Sequence, residues 1–166
     1  MRALPEDQRV VFLADLAASY GFDLHQHCRN LIMDWATLQT FADEPLCTIG
    51  AHTVHHYELS KLGDAEARNE IDQSRAVIEA QFGKRPEHLS FPLGGPKSAG
   101  QREYAMAREL GFKTAVTTKP GGLTGRNATA LTSLPRVSLN GLFQARRYVD
   151  VFATGSIFSL LGRAGA

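Results

Sequence analysis

Two histidines four residues apart, His52 and His56 in His52-Thr53-Val54-His55-His56, are the residues of this chain best suited to chemistry. On one helical turn their side chains would share a face, with Cβ atoms roughly 5–6 Å apart. That spacing lets two imidazole nitrogens bond one metal ion at about 2.0–2.1 Å. The competing reading is a structural pair satisfied by hydrogen bonds. His55 would point elsewhere. The stretch follows Leu46-Cys47-Thr48-Ile49-Gly50-Ala51, an apolar run that reads as a buried strand. A position just past a strand favours the metal.

These residues need elements to hold them. Pro5-Glu6-Asp7 opens a helix that runs to about Ser19, with Val10, Leu13, Ala14 and Ala17 on one face and Gly21 as its stop. His25 and His27 fall in an early loop. Asp34 caps a second helix that ends before Pro45, and Trp35 reads as core. Asp64 caps a long helix in which Ala67, Ile71, Ser74, Ile78 and Phe82 recur at helical spacing, closed by Gly83. Residues 88–92 form a second strand leading into the tight loop Pro92-Leu93-Gly94-Gly95-Pro96. Ser98 to Leu110 is another amphipathic helix, residues 113–118 a third strand, and Leu131 to Leu139 a candidate fourth around Pro135.

Strand and helix therefore alternate through the middle of the chain, which implies parallel strands with right-handed crossover helices in an α/β arrangement. In such folds chemistry collects at the C-terminal ends of the strands. The histidine turn and the Pro-Leu-Gly-Gly loop should share that mouth.

Composition narrows the partners. The 166 residues suit a single domain over 1–166. With 18 Lys+Arg against 17 Asp+Glu there is no basic stripe for nucleic acid. Cys28 and Cys47 form no CxxC pair and read as two reduced, buried thiols. The first residues lack the apolar core of a signal peptide, so a native start at Met1 would place the chain in the cytoplasm. No run reaches the ~18–20 apolar residues of a membrane span; the stretch from Val149 to Leu161 is short and broken by Gly155.

The segment from Thr48 to Leu59, with His52-Thr53-Val54-His55-His56 at its centre, closely resembles the H-[ST]-x-x-H motif of the polysaccharide deacetylases, the family of chitin, peptidoglycan and xylan deacetylases. Phe91-Pro92-Leu93-Gly94 is similar to that family's Pro-aromatic-Gly loop, and Gly111-Phe112-Lys113-Thr114-Ala115 to the strand that follows it. The match holds in order and spacing over about residues 34–139. The resemblance implies part of a distorted (β/α) barrel and a divalent-metal hydrolase, usually zinc-dependent, that removes acetyl groups from an N-acetylated carbohydrate. It makes His52 and His56 metal ligands and gives Thr53 a role in supporting the turn. It gives the Leu93 backbone N–H the task of donating to the oxyanion.

The departures from the family pattern are as specific. The family's Thr-Phe-Asp-Asp motif, which supplies the base and the third ligand, is absent. Thr40-Phe41-Ala42-Asp43 imitates it, but Asp43 ends a helix and lies too close to His52 in sequence, so it is rejected as a ligand. Ser90 stands where many members have an arginine. Leu134-Pro135-Arg136 stands where many have a late Leu-x-His; Arg136 either acts electrostatically at the mouth or is a surface arginine. The expectation is a C-terminal portion with its third ligand outside this chain, poorly active alone, and completed by an N-terminal segment or by a second copy. Two other readings stay open: a non-catalytic sugar-binding module that keeps the histidines, and an esterase acting on O-acetyl sugars.

Overall fold

The computed structural model describes residues 3–139, 141–142, 144–155 and 157–158; Leu160 and Leu161 lie outside them. The first helix, α1 (Glu6–Ser19), begins after Pro5 with Glu6 and Asp7 in its first turn, and the chain turns away at Gly21, where φ is 64°. The predicted loop that holds His25 and His27 is instead a helix, α2 (Leu24–Leu31), capped by Asp23 Oδ1, which accepts from Gln26 N at 2.8 Å. Helix α3 (Trp35–Ala42) is capped as predicted by Asp34, which accepts from Thr37 N at 2.7 Å. Trp35 is not core. It is 45% exposed and packs edge-on against Phe82, at 5.8 Å between ring centroids.

Helix α4 (Asp64–Phe82) ends at Gly83 with φ 67°; Gly63 is its cap and Asp64 its first residue. Strand β1 (His88–Ser90) pairs in parallel with β2 (Thr114–Val116), and helix α5 (Gln101–Glu109) makes the crossover between them. Helix α5 starts later than Ser98 because Gly100 N donates to Glu103 Oε2 at 2.7 Å and fixes the first turn there. Helix α6 (Arg146–Ala153), which no pattern predicted, completes the described elements.

The predicted outer strands shrink to single bridges, both parallel: Ala51 with Leu89, and Val116 with Leu134. Residues before Ala51 lie at the sheet edge with no neighbour to hydrogen-bond them as a strand, and Leu46 is 96% exposed instead of buried. At the other edge a short 3₁₀ turn (Leu131–Ser133) precedes Leu134, and the ladder ends after it because the next donor, Arg136 N, bonds Lys119 O at 2.9 Å and not Thr117 O. The described strands thus form an open parallel unit, and no closed barrel is found among the described residues.

The core fills the space between this sheet and helices α4 and α5. Ala67 and Ile71 from α4 join Leu89 and Ala115 from the strands, Phe91 just past β1, and Tyr104 and Ala107 from α5 in one cluster. Buried Arg75 ties α4 to the segments entering both strands: its Nε donates to Pro86 O at 2.9 Å, its Nη1 reaches Leu110 O, and its guanidinium lies 4.2 Å over Phe112. Both thiols are free, but neither is buried: Cys28 is exposed and Cys47 half-buried. No helix among the described residues is long and apolar enough to cross a membrane.

Candidate metal centre

His52 leaves the sheet edge through a competition between side chain and main chain. Ala51 makes two parallel ladder bonds with β1, from Ala51 N to His88 O at 2.8 Å and from Ser90 N to Ala51 O at 2.9 Å. In a continuing parallel ladder the next bond would run from Thr53 N to Ser90 O. The His52 ring takes that acceptor instead, with Nδ1 2.6 Å from Ser90 O. A carbonyl only accepts, so Nδ1 carries the proton and Nε2 is left with its lone pair free, the form a metal ligand requires.

The chain then turns sharply. Thr53 has φ 64° and His56 φ 57°, so the two histidines do not lie on a helical turn as the spacing suggested. They are brought together all the same. Their ring centroids are 4.8 Å apart with planes inclined at 69°. Two imidazoles bonded at 2.0–2.1 Å to one tetrahedral ion have centroids roughly 5 Å apart. Thr53 supports the turn through its hydroxyl, which accepts from His56 N at 3.2 Å. His55 points away: its Nδ1 lies 2.6 Å from Glu70 Oε1, and its ring stacks on Tyr57. The other oxygen of Glu70 accepts from Val54 N and His55 N at 3.2 and 2.9 Å.

The loop after β1 closes the other side. Leu93, half-exposed, has φ 60°, and Gly94 follows with φ 55°. Leu93 O accepts from Thr118 Oγ1 at 2.8 Å, while Leu93 N meets no acceptor among the described residues. Leu93 and His56 line one cleft of about 140 Å³ with Glu6, Arg9, Glu58 and Lys61. The two loops therefore share a mouth at the strand ends. Thr53, His56 and Leu93 are also the non-glycine residues with positive φ among those described, and left-handed strain of this kind gathers at functional sites.

Charges in the cleft are tightly paired. Lys61 Nζ lies 3.1 Å from Glu6 Oε1 and 3.1 Å from Glu58 Oε2. Burial opposes every one of these charges, but their mutual contacts outweigh it. Glu6 and Glu58 are held below the ordinary carboxylate range, and Lys61 is held above that of a free lysine. Arg136 is exposed, and its backbone N donates to Lys119 O at 2.9 Å. Its charge is felt at His52. Dehydration lowers the proton affinity of that ring most; the Ser90 carbonyl works against it, and the positive potentials of His56 and Arg136 lower it further.

The donor set is chemically right for a divalent metal but has only two members. No group of three His, Cys, Asp or Glu able to hold an ion occurs among the described residues. Asp43 ends α3 and accepts from Gln39 Nε2 at 2.7 Å. It lines a separate cavity of about 270 Å³ with Glu87 and His88, at the start of β1 and away from Ser90. Glu70 and the Glu6–Lys61–Glu58 network are the groups that pattern reading missed. The available signal for Glu70 was an acid three residues after Ala67 and four before Ser74, on the face of α4 that packs inward.

Comparison with known proteins places these observations. The polysaccharide deacetylase family profile matches residues 12–115. Among curated proteins the chain is similar to the putative polysaccharide deacetylase YxkH of Bacillus subtilis (strain 168), with 27% identity over 74 residues, 45% of this chain and 25% of that protein. Among solved structures it resembles the Streptococcus pyogenes deacetylase PplD, determined in complex with acetate, with a TM-score of 0.62 and 19% identity over 74% of this chain and 50% of that one. It also resembles a putative polysaccharide deacetylase from Bacillus anthracis, with a TM-score of 0.59 and 21% identity over 74% of this chain and 36% of that one. The match thus spans a quarter of the curated relative's length and at most half of these structures.

Proposed function

The chain belongs to the polysaccharide deacetylase family, and from that premise we propose that it forms part of a metal-dependent hydrolase that removes acetyl groups from an N-acetylated carbohydrate, with His52 and His56 as two of the metal's ligands. The observation that carries this reading is the His52 ring, held by Ser90 O at 2.6 Å with Nε2 left free, beside a second imidazole at 4.8 Å. Zinc or another divalent ion would supply Lewis acidity toward the acetyl carbonyl and toward water.

The chain's own residues have separate tasks. His52 stays neutral at neutral pH because its proton affinity is lowered, and a ligand must be deprotonated to bind. His56 adds the second nitrogen. The Leu93 N–H, without an acceptor among the described residues, donates to the oxygen that gains charge as the acetyl carbon is attacked. Arg136 adds positive potential. The third ligand and the general base are supplied from outside these 166 residues, since the described residues offer no third donor. Residues 1–166 act as one unit of a larger site, and the strand–helix alternation is its share of a (β/α) barrel.

The test is a zinc titration of the full chain by calorimetry. We expect binding that falls by at least about tenfold in both His52→Ala and His56→Ala. Metal uptake indifferent to both substitutions sinks the ligand assignment. Assayed alone on N-acetylated and O-acetylated oligosaccharides, the chain should hydrolyse neither appreciably. Metal-dependent turnover at about 1 s⁻¹ or faster, within the usual enzyme range, would overturn the outside origin of the base. The missing third donor also favours a second reading, a sugar-binding module without catalysis. That reading predicts saccharide binding that is unchanged in the two histidine variants.

A further inference from the structure

The carboxylate of Glu70 lies in the inward face of α4 and is only 4% exposed. Burying a carboxylate costs several kcal/mol unless hydrogen bonds or a countercharge compensate. No lysine or arginine pairs with it among the described residues; the one side chain it meets there is His55, through Nδ1. Every bond it makes goes to a single short segment. Oε2 accepts from Val54 N at 3.2 Å and from His55 N at 2.9 Å, and Oε1 meets His55 Nδ1 at 2.6 Å. That segment is bracketed by Thr53 and His56, both at positive φ, each a conformation costing on the order of 1–3 kcal/mol.

These facts fit together. A turn with two strained residues opens unless something over-determines it, and the three bonds to Glu70 fall on the two residues between them. Helix α4 is itself fixed, with Ala67 and Ile71 fully buried on either side of Glu70. The carboxylate is thus a rigid post around which the turn is wrapped. His52 has its own anchor at Ser90 O, whereas the His56 ring has no side-chain hydrogen bond among the described residues and takes its place from the turn. We infer that Glu70 is a positioning residue of the metal pair: by clamping Val54 and His55 it holds the His56 ring against His52. The inference rests on reading His52 and His56 as ligands.

The experiment compares the wild-type chain with Glu70→Ala and Glu70→Gln by zinc calorimetry and by amide hydrogen exchange. Glu70→Ala should weaken zinc binding by about 10–100-fold, the scale of lost outer-shell support. It should also strip protection from the Val54 and His55 amides while Ala67 and Ile71 keep theirs, which separates a local opening from unfolding. Glu70→Gln keeps one oxygen for the two amides and should retain most of the affinity. Its new NH₂ faces His55, so His55 should change tautomer, with its proton moving from Nδ1 to Nε2 in nitrogen NMR. Wild-type affinity in Glu70→Ala, or undiminished protection at Val54 and His55, overturns the inference. Zinc binding absent from the wild type but with those two amides exposed in Glu70→Ala defeats the ligand reading instead and leaves Glu70 as the clamp of the turn.

Discussion

At His52, backbone geometry selects which ring nitrogen is free, and the surrounding charges set how readily it is protonated. Dehydration, His56 and Arg136 all push its proton affinity below that of a free imidazole, pKa about 6.5. The sign follows directly. A ligand that stays neutral further into acid keeps its metal to lower pH, and stability linked to its neutral form is complete above about pH 6.5 and fades as pH falls through the folded value. An NMR titration of the metal-free chain should place the His52 midpoint below 6.5, and Arg136→Gln should raise it. A midpoint at or above 6.5, unmoved by that substitution, would show that the ring is not under this field. At this scale the sequence was partly legible. His52 and His56 stand out because their residue types and spacing carry a signature, whereas Leu93, which stands where the family loop has an aromatic, is picked out only by its place between Pro92 and Gly94. Glu70 does not, since its main partners are backbone N–H groups, which no pattern of side chains encodes.

Among the elements, helix limits were readable where a local residue sets them. Asp34, Gly83 and Gly21 mark their boundaries through short-range bonds or left-handed backbone, and the structure agrees. Strand limits were overestimated because ladder bonds depend on a neighbour distant in sequence; the run 46–51 has one only at Ala51. Helix α2 was missed because it is only eight residues long and mostly polar, although Leu24, Cys28 and Leu31 recur at helical spacing behind the Asp23 cap. The loop after β1 offers a sharp test. A Cβ on Gly94 would fall 2.8 Å from Thr118 N at φ 55°, whereas one on Gly83, at φ 67°, meets nothing within 4 Å. Gly83→Ala should cost about 1 kcal/mol from the left-handed conformation alone. Gly94→Ala should cost more than about 2 kcal/mol because it also forces the β1 loop away from the end of β2. Equal urea midpoints for the two variants would contradict this close packing.

Over the whole molecule the balance of surface is unusual. Val11, Leu31, Ile32 and Leu46 are 60, 70, 68 and 96% exposed, and all lie in α1, at the end of α2 or in the segment leading to Ala51. Scattered apolar residues are ordinary on a surface, and a larger exposed group is what an association surface would present. Ala51 adds a sheet edge with no strand beyond it among the described residues. The chain is therefore expected to self-associate, with a weight-average mass in sedimentation equilibrium that rises with concentration and falls back in Ile32→Lys. A monomer throughout would mean that this surface is solvated as it stands. Parallel pairing was legible at this scale, because alternating strands and helices leave little choice but that arrangement. The open edge was legible only through the missing Thr-Phe-Asp-Asp strand, since an incomplete barrel leaves unpaired edges while nothing in a strand's own residues states that its neighbour is absent.

The bond between the His52 ring and Ser90 O has one more consequence. It competes with the ladder as well as anchoring the ring: the imidazole takes Ser90 O, Thr53 is turned to φ 64° without bonding that carbonyl, and the strand ends at Ala51. Removing the ring hands the acceptor back to the main chain. His52→Ala is then free to zip one rung further along β1, which draws Thr53 out of its left-handed state and dismantles the turn from the opposite side to Glu70. Loss of metal in that variant should be read beside the exchange rate of the Thr53 amide, and a slowed amide there would reveal a histidine that limits the growth of its own strand.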